Sequence, residues 1–76
     1  MKEKIKAVMA HVFEVEISEI TEEASPDVLP AWKSLNHIQL MAALEDKFDI
    51  MISEKDSLSL MSFRQVSDYI HKKLEE

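Results

Sequence analysis

The 76-residue sequence contains no cysteine, no glycine, two prolines and no long apolar run. Without cysteine there is no disulfide framework, thiolate metal site or cysteine nucleophile, so stability has to come from packing. Without glycine, and nearly without proline, the chain favours helices joined by glycine-free connections. No stretch approaches the roughly 18 consecutive apolar residues of a membrane span, and the opening M-K-E-K-I-K lacks the apolar centre of a signal peptide. A cytoplasmic protein is the expectation. Bases are scarce as well, with nine Lys and Arg against fifteen Asp and Glu and a formal charge of −6. Nucleic-acid binding rests on clustered Lys and Arg, so that class is disfavoured and basic protein surfaces are the expected partners. A chain of this length is expected to form a single domain over residues 1–76 and to be a monomer, burying about 60% of its unfolded surface.

What is present is helical periodicity. Ile5, Val8, Met9 and Val12 fall at i, i+3, i+4 and i+7 beside Phe13, which predicts a first helix over about residues 2–15. From Glu16 to Lys33 the pattern fails, and Thr21, Ser25, Pro26 and Pro30 mark a long loop with Ile17, Ile20, Val28 and Leu29 as its candidate anchors. A second helix is predicted from Ser34 to Phe48, rich in Leu, Met, Ala, Glu and Lys. S-E-K-D at 53–56 resembles the capped start of a short helix reaching about Leu60. S-F-R-Q at 62–65 has the form of a capping box, followed by a last helix with the stripe Phe63, Val66, Tyr69, Ile70 and Leu74. The fold class is therefore all-α, with three longer helices, one short helix and a long first loop.

Advancing about 100° per residue divides the second helix into two apolar arcs. Leu40, Met41, Leu44 and Phe48 form the core-facing arc, and Leu35, Ile38 and Ala42 form another, flanked by Glu45 and Asp46. Either the second arc packs under the long loop, or it is an apolar strip rimmed by acids that suits partners with basic patches. Burial of Leu35 and Ile38 decides between them. Ser34, at the helix start beside this strip, has an ordinary use as a cap. A hydrolase using Ser34 and His37 is disfavoured, because His37 falls on the core-facing side by helical phase. His11, His37 and His71 lie on different predicted helices with none of the spacings that metal sites use. A phosphodiester on Ser34 makes physical sense, since free N–H groups and the helix dipole favour an anion there.

The stretch W-K-S-L-N-H-I-Q-L-M-A-A-L-E-D-K-F-D-I, residues 32–50, together with S-E-K-D and V-S-D-Y-I, resembles the acyl carrier protein family over nearly the whole chain. That resemblance implies a four-helix bundle that is not itself an enzyme. It also implies a 4′-phosphopantetheine arm, taken from coenzyme A by a phosphopantetheinyl transferase, attached to Ser34 and holding acyl or aminoacyl groups as thioesters. Leu35, Ile38 and Ala42 match positions that meet acyl-transferring or acyl-activating enzymes, and Glu45 and Asp46 match acids that attract their basic patches. Ile52 matches an apolar position near the acyl chain or the partner. Fatty acid and polyketide biosynthesis are both compatible with such a carrier.

One residue departs from the family's pattern. Where the family has Asp immediately before the serine, Lys33 reverses the charge in the region a basic transferase surface meets, and it suits a helix N-terminus poorly. The alternative reading follows from this change: a small acidic helical interaction module, unmodified, with Ser34 acting only as a cap.

Overall fold

The computed structural model describes residues 2–75. Periodicity resolves into α1 (Lys2–Phe13), α2 (Ser34–Phe48), α3 (Glu54–Ser59) and α4 (Phe63–Glu75), with a short 3₁₀ turn at Ile17–Glu19 and no strand among the described residues. α1 contributes Ile5, Met9 and Phe13 to the core, α2 contributes Leu40, Met41 and Leu44, and α4 contributes Phe63, Val66 and Ile70. Most of these are spaced three or four residues from the next, with Leu40 and Met41 side by side, so each helix turns one stripe inward. Burying a side chain of this size contributes about 1.5–3 kcal/mol relative to leaving it exposed.

The long loop is a strap rather than a slack connection. Ile20, Ala24, Leu29 and Trp32 are buried and join the same core. Ile17 and Val28, which the sequence offers as anchors, are exposed instead. The reason is local: the 3₁₀ turn and the turn at Ser25–Leu29 each direct one apolar residue of a pair inward and leave the other outside. The strap is also fastened by its backbone, since Phe63 N–H donates to the Ala24 carbonyl at 2.9 Å and orients the start of α4. Exposed pairs Lys2–Glu22 and Arg64–Glu23, both at 3.2 Å, add little, because solvent screens them.

Caps follow the sequence closely at two of the helices. Ser53 Oγ accepts from Asp56 N–H at 3.0 Å at the start of α3, and Ser62 Oγ accepts from Gln65 N–H at 3.1 Å at the start of α4. The capping box at Ser62 is only half formed, because the Gln65 side chain accepts from Met61 N–H instead. α1 stops at Phe13, short of the predicted residue 15, because Glu14 takes a left-handed conformation with φ 57°. Val15 N–H then donates back to the Ala10 carbonyl at 3.0 Å, the Schellman closure. α2 ends in the same way on Asp49, with φ 54°, and Ile50 N–H donates to the Glu45 carbonyl.

Left-handed backbone is where a glycine-free sequence incurs strain, and Asp tolerates it better than Glu. Glu14→Gly is expected to raise the unfolding free energy by about 0.5–1 kcal/mol, and Asp49→Gly by less. Urea denaturation of the two variants checks the order; a loss of stability in Glu14→Gly contradicts it.

Candidate functional site

The N-terminus of α2 is weakly capped, and that weakness shapes the site. Lys33 occupies the cap position with extended backbone (φ −113°, ψ 173°) and no side-chain cap hydrogen bond, and no acid lies in the first turn. Ser34 is therefore the first helical residue and not a cap. Its hydroxyl is exposed and has no hydrogen-bond partner among the described residues. The first N–H of the helix to find an acceptor is that of His37, on the Lys33 carbonyl at 2.8 Å, so the N–H groups of Ser34, Leu35 and Asn36 stay open. Asn36 instead ties its side chain back to the Ala31 carbonyl at 2.7 Å, fixing the angle at which the strap enters the helix.

Ser34 stands on the rim of a groove of about 510 Å³. Its walls come from three directions: Pro26 and Trp32 of the strap, Lys33, His37 and Ile38 around the first turn of α2, and Glu54, Ser57, Leu58 and Met61 on the α3 side. An open hydroxyl, three free N–H groups, an adjacent cation and a neighbouring groove together fit a phosphodiester with an apolar continuation.

Under the groove lies a buried polar chain. Trp32 Nε1–H donates to His37 Nδ1 at 3.0 Å, and His37 Nε2 lies 2.8 Å from the Ser57 carbonyl oxygen, with the Ser57 hydroxyl 3.3 Å from the same nitrogen. An indole nitrogen only donates and a carbonyl only accepts, so the imidazole is the Nε2–H tautomer. Trp32 also packs against the Phe13 ring, with centroids 5.5 Å apart. His37 and Trp32 are thus structural, as the helical phase of His37 predicts. His37 has no hydrogen bond to Ser34, and no cluster of three His, Cys, Asp or Glu able to hold a metal occurs among the described residues.

The second arc of α2 faces outward. Leu35 and Ile38 each expose 65% of their surface, the outcome that favours an apolar strip over packing beneath the strap. Ala42 and Asp46 are exposed with them. Glu45 is half-buried and occupied: its carboxylate accepts from Ile52 N–H at 2.8 Å and so pins the turn between α2 and α3. Ile52 is half-buried and outside the residues lining the groove; Leu58 and Met61 supply the apolar wall there. Leu58 and Met61 were not singled out by the sequence, because a six-residue helix is too short for periodicity to separate a groove wall from a core stripe.

No protein-family model matches the chain. Over 74 residues it is 34% identical to the acyl carrier protein of Buchnera aphidicola subsp. Schizaphis graminum, an alignment covering 96% of this chain and 92% of that one. The chain belongs to the acyl carrier protein family. Its all-helical architecture is consistent with the acyl carrier bundle, and acyl carrier proteins are carriers, not enzymes. No helix among the described residues is long and apolar enough to cross a membrane.

The buried Trp32–His37–Ser57 chain gives the protein a measurable signature. Nitrogen-15 NMR of the imidazole is expected to show His37 Nε2 protonated and Nδ1 bare. His37→Leu leaves the Trp32 N–H without its acceptor and is expected to cost about 1–3 kcal/mol, measured by urea denaturation. Trp32→Phe added to it should cost less than Trp32→Phe alone, because the unsatisfied donor has been removed.

Proposed function

We propose that the chain carries acyl groups as thioesters on a 4′-phosphopantetheine arm attached to Ser34 and delivers them to partner enzymes. The observation that carries this reading is the position of Ser34: exposed, without a hydrogen-bond partner among the described residues, first in its helix and on the rim of a groove. When bound, the arm supplies a thiol on a long tether, which raises the local concentration of cargo at each partner. In the attachment step Ser34 Oγ forms a bond to the β-phosphorus of coenzyme A and the pyrophosphate P–O bond breaks. Adenosine bisphosphate leaves, and the hydroxyl proton passes to a base of the transferase. The chain's own part is to present the hydroxyl, stabilise the resulting phosphodiester with open N–H groups, and pair it with Lys33.

Partner docking is assigned to Leu35, Ile38 and Ala42, with Asp46 and the outer edge of Glu45 attracting basic patches. The exposure of Leu35 and Ile38 supports that assignment, as does the net charge of −6. Partners are a phosphopantetheinyl transferase and acyl-transferring or acyl-activating enzymes; fatty acid and polyketide pathways are the candidate settings, and a cytoplasmic, single-domain monomer over residues 1–76 fits them. A second reading is favoured by Lys33 alone: an unmodified acidic interaction module. Its claim that Ser34 serves as a helix cap has no hydrogen bond to support it.

Intact mass after incubation with coenzyme A and a transferase tests the reading. A gain of one phosphopantetheine that disappears in Ser34→Ala is the expected result, and no gain with several diverse transferases favours the interaction module. Lys33→Asp is expected to speed modification by a transferase with a basic surface, and also to stabilise the poorly capped helix by about 1 kcal/mol. Lys33→Asn separates the two effects, because it restores a cap without a negative charge. A rate in Lys33→Asn equal to that in Lys33→Asp removes charge reversal as the cause.

A further inference from the structure

The groove beside Ser34 ends on hydrogen-bonded rings rather than on loose apolar side chains. Trp32 and His37 are both buried, lie roughly parallel with centroids 6.2 Å apart, and are linked to each other and onward to Ser57. His37 belongs to α2 and Ser57 to α3, so their bond joins the two helices across the floor. One helical turn further along the two segments lie Leu40 and Leu60, both buried in the core. The outer walls, in contrast, are Ile38 and Leu58, which are exposed, with Met61 beside them.

We propose that the Trp32–His37–Ser57 chain sets the depth to which cargo tethered at Ser34 is buried, making this protein a carrier that shelters short acyl groups and leaves the far end of a long one in solvent. The proposal rests on Ser34 being the attachment point. A longer group reaches Leu40 and Leu60 only by parting α2 from α3. That movement breaks the His37–Ser57 bond, and any swing of the imidazole strands the indole N–H where protein already excludes water. A short group needs neither change. It lies against Ile38, Leu58 and Met61, and each further methylene gains nothing once it passes the end of that wall.

The test uses the full chain carrying butyryl or dodecanoyl arms. Two readouts are followed: methyl NMR signals, and the rate at which hydroxylamine cleaves the thioester. Both arms are expected to shift the methyls of Ile38, Leu58 and Met61, to leave those of Leu40, Leu44 and Ile70 in place, and to be cleaved equally fast. In His37→Leu/Trp32→Phe, where donor and acceptor are removed together, the dodecanoyl arm is expected to move the core methyls and be cleaved about tenfold more slowly, the gain from burying about two further methylenes. Wild-type protein in which dodecanoyl shifts the core methyls, or is better protected than butyryl, overturns the proposal. If the double variant does not fold, as read by its thermal melt, the wild-type comparison decides alone.

Ser34→Cys keeps this result independent of whether a transferase accepts the chain. The sequence has no other cysteine, so haloacetyl derivatives of acylated pantetheine attach at that position alone. Core methyls unmoved by a long arm on Ser34→Cys support the depth limit even if Ser34 gains no mass from coenzyme A. That second outcome counts against the carrier reading only.

Discussion

The hydrogen bond from the Trp32 indole to His37 is the interaction on which the rest of the arrangement depends. It joins the strap to the first turn of α2, and the other ring nitrogen of the same imidazole reaches α3 through Ser57. Replacing either ring with a smaller group frees the strap at the point where it enters the helix. The position of Ser34 would then rest on local ties such as the Asn36–Ala31 bond, the Lys33 N–H bond to the Ala31 carbonyl and the burial of Leu29. A weakly capped helix N-terminus has little intrinsic preference for where it begins, so its start is decided by what is fastened next to it.

α2 serves two surfaces at once because its apolar residues cover more of its circumference than a core seam requires. Leu40, Met41 and Leu44 face inward, while Leu35 and Ile38 remain outside. Ser34, with its open hydroxyl, and the exposed apolar strip therefore lie within one or two turns of each other on the same helix. Glu45 is divided between the two surfaces. Its carboxylate holds the Ile52 N–H and with it the turn between α2 and α3.

Much of this was legible in the sequence for identifiable reasons. The bounds of α2 follow from Pro30 upstream and an unbroken run of helix formers, and the split into two arcs follows from the geometry of the helix. The capped starts at Ser53 and Ser62 follow from side chains whose hydrogen bonding is local. The strap was less legible, because Ile17 and Ile20, or Val28 and Leu29, are equivalent in composition and only the turns between them decide which goes inside. The groove was not legible at all: it is assembled from the strap, α2 and α3, and no periodicity within one segment reports how three segments meet. The same holds for the His37–Ser57 bond, whose partners are 20 residues apart.

Trp32 is the one tryptophan in the chain, and it lies in the wall of the groove with its N–H bonded to an imidazole. Its fluorescence therefore comes from a single, well-defined place. Any event that alters the groove changes the polarity around that indole or the bond it makes. The protein thus contains its own optical reporter, through which changes at the groove can be followed in real time without a label.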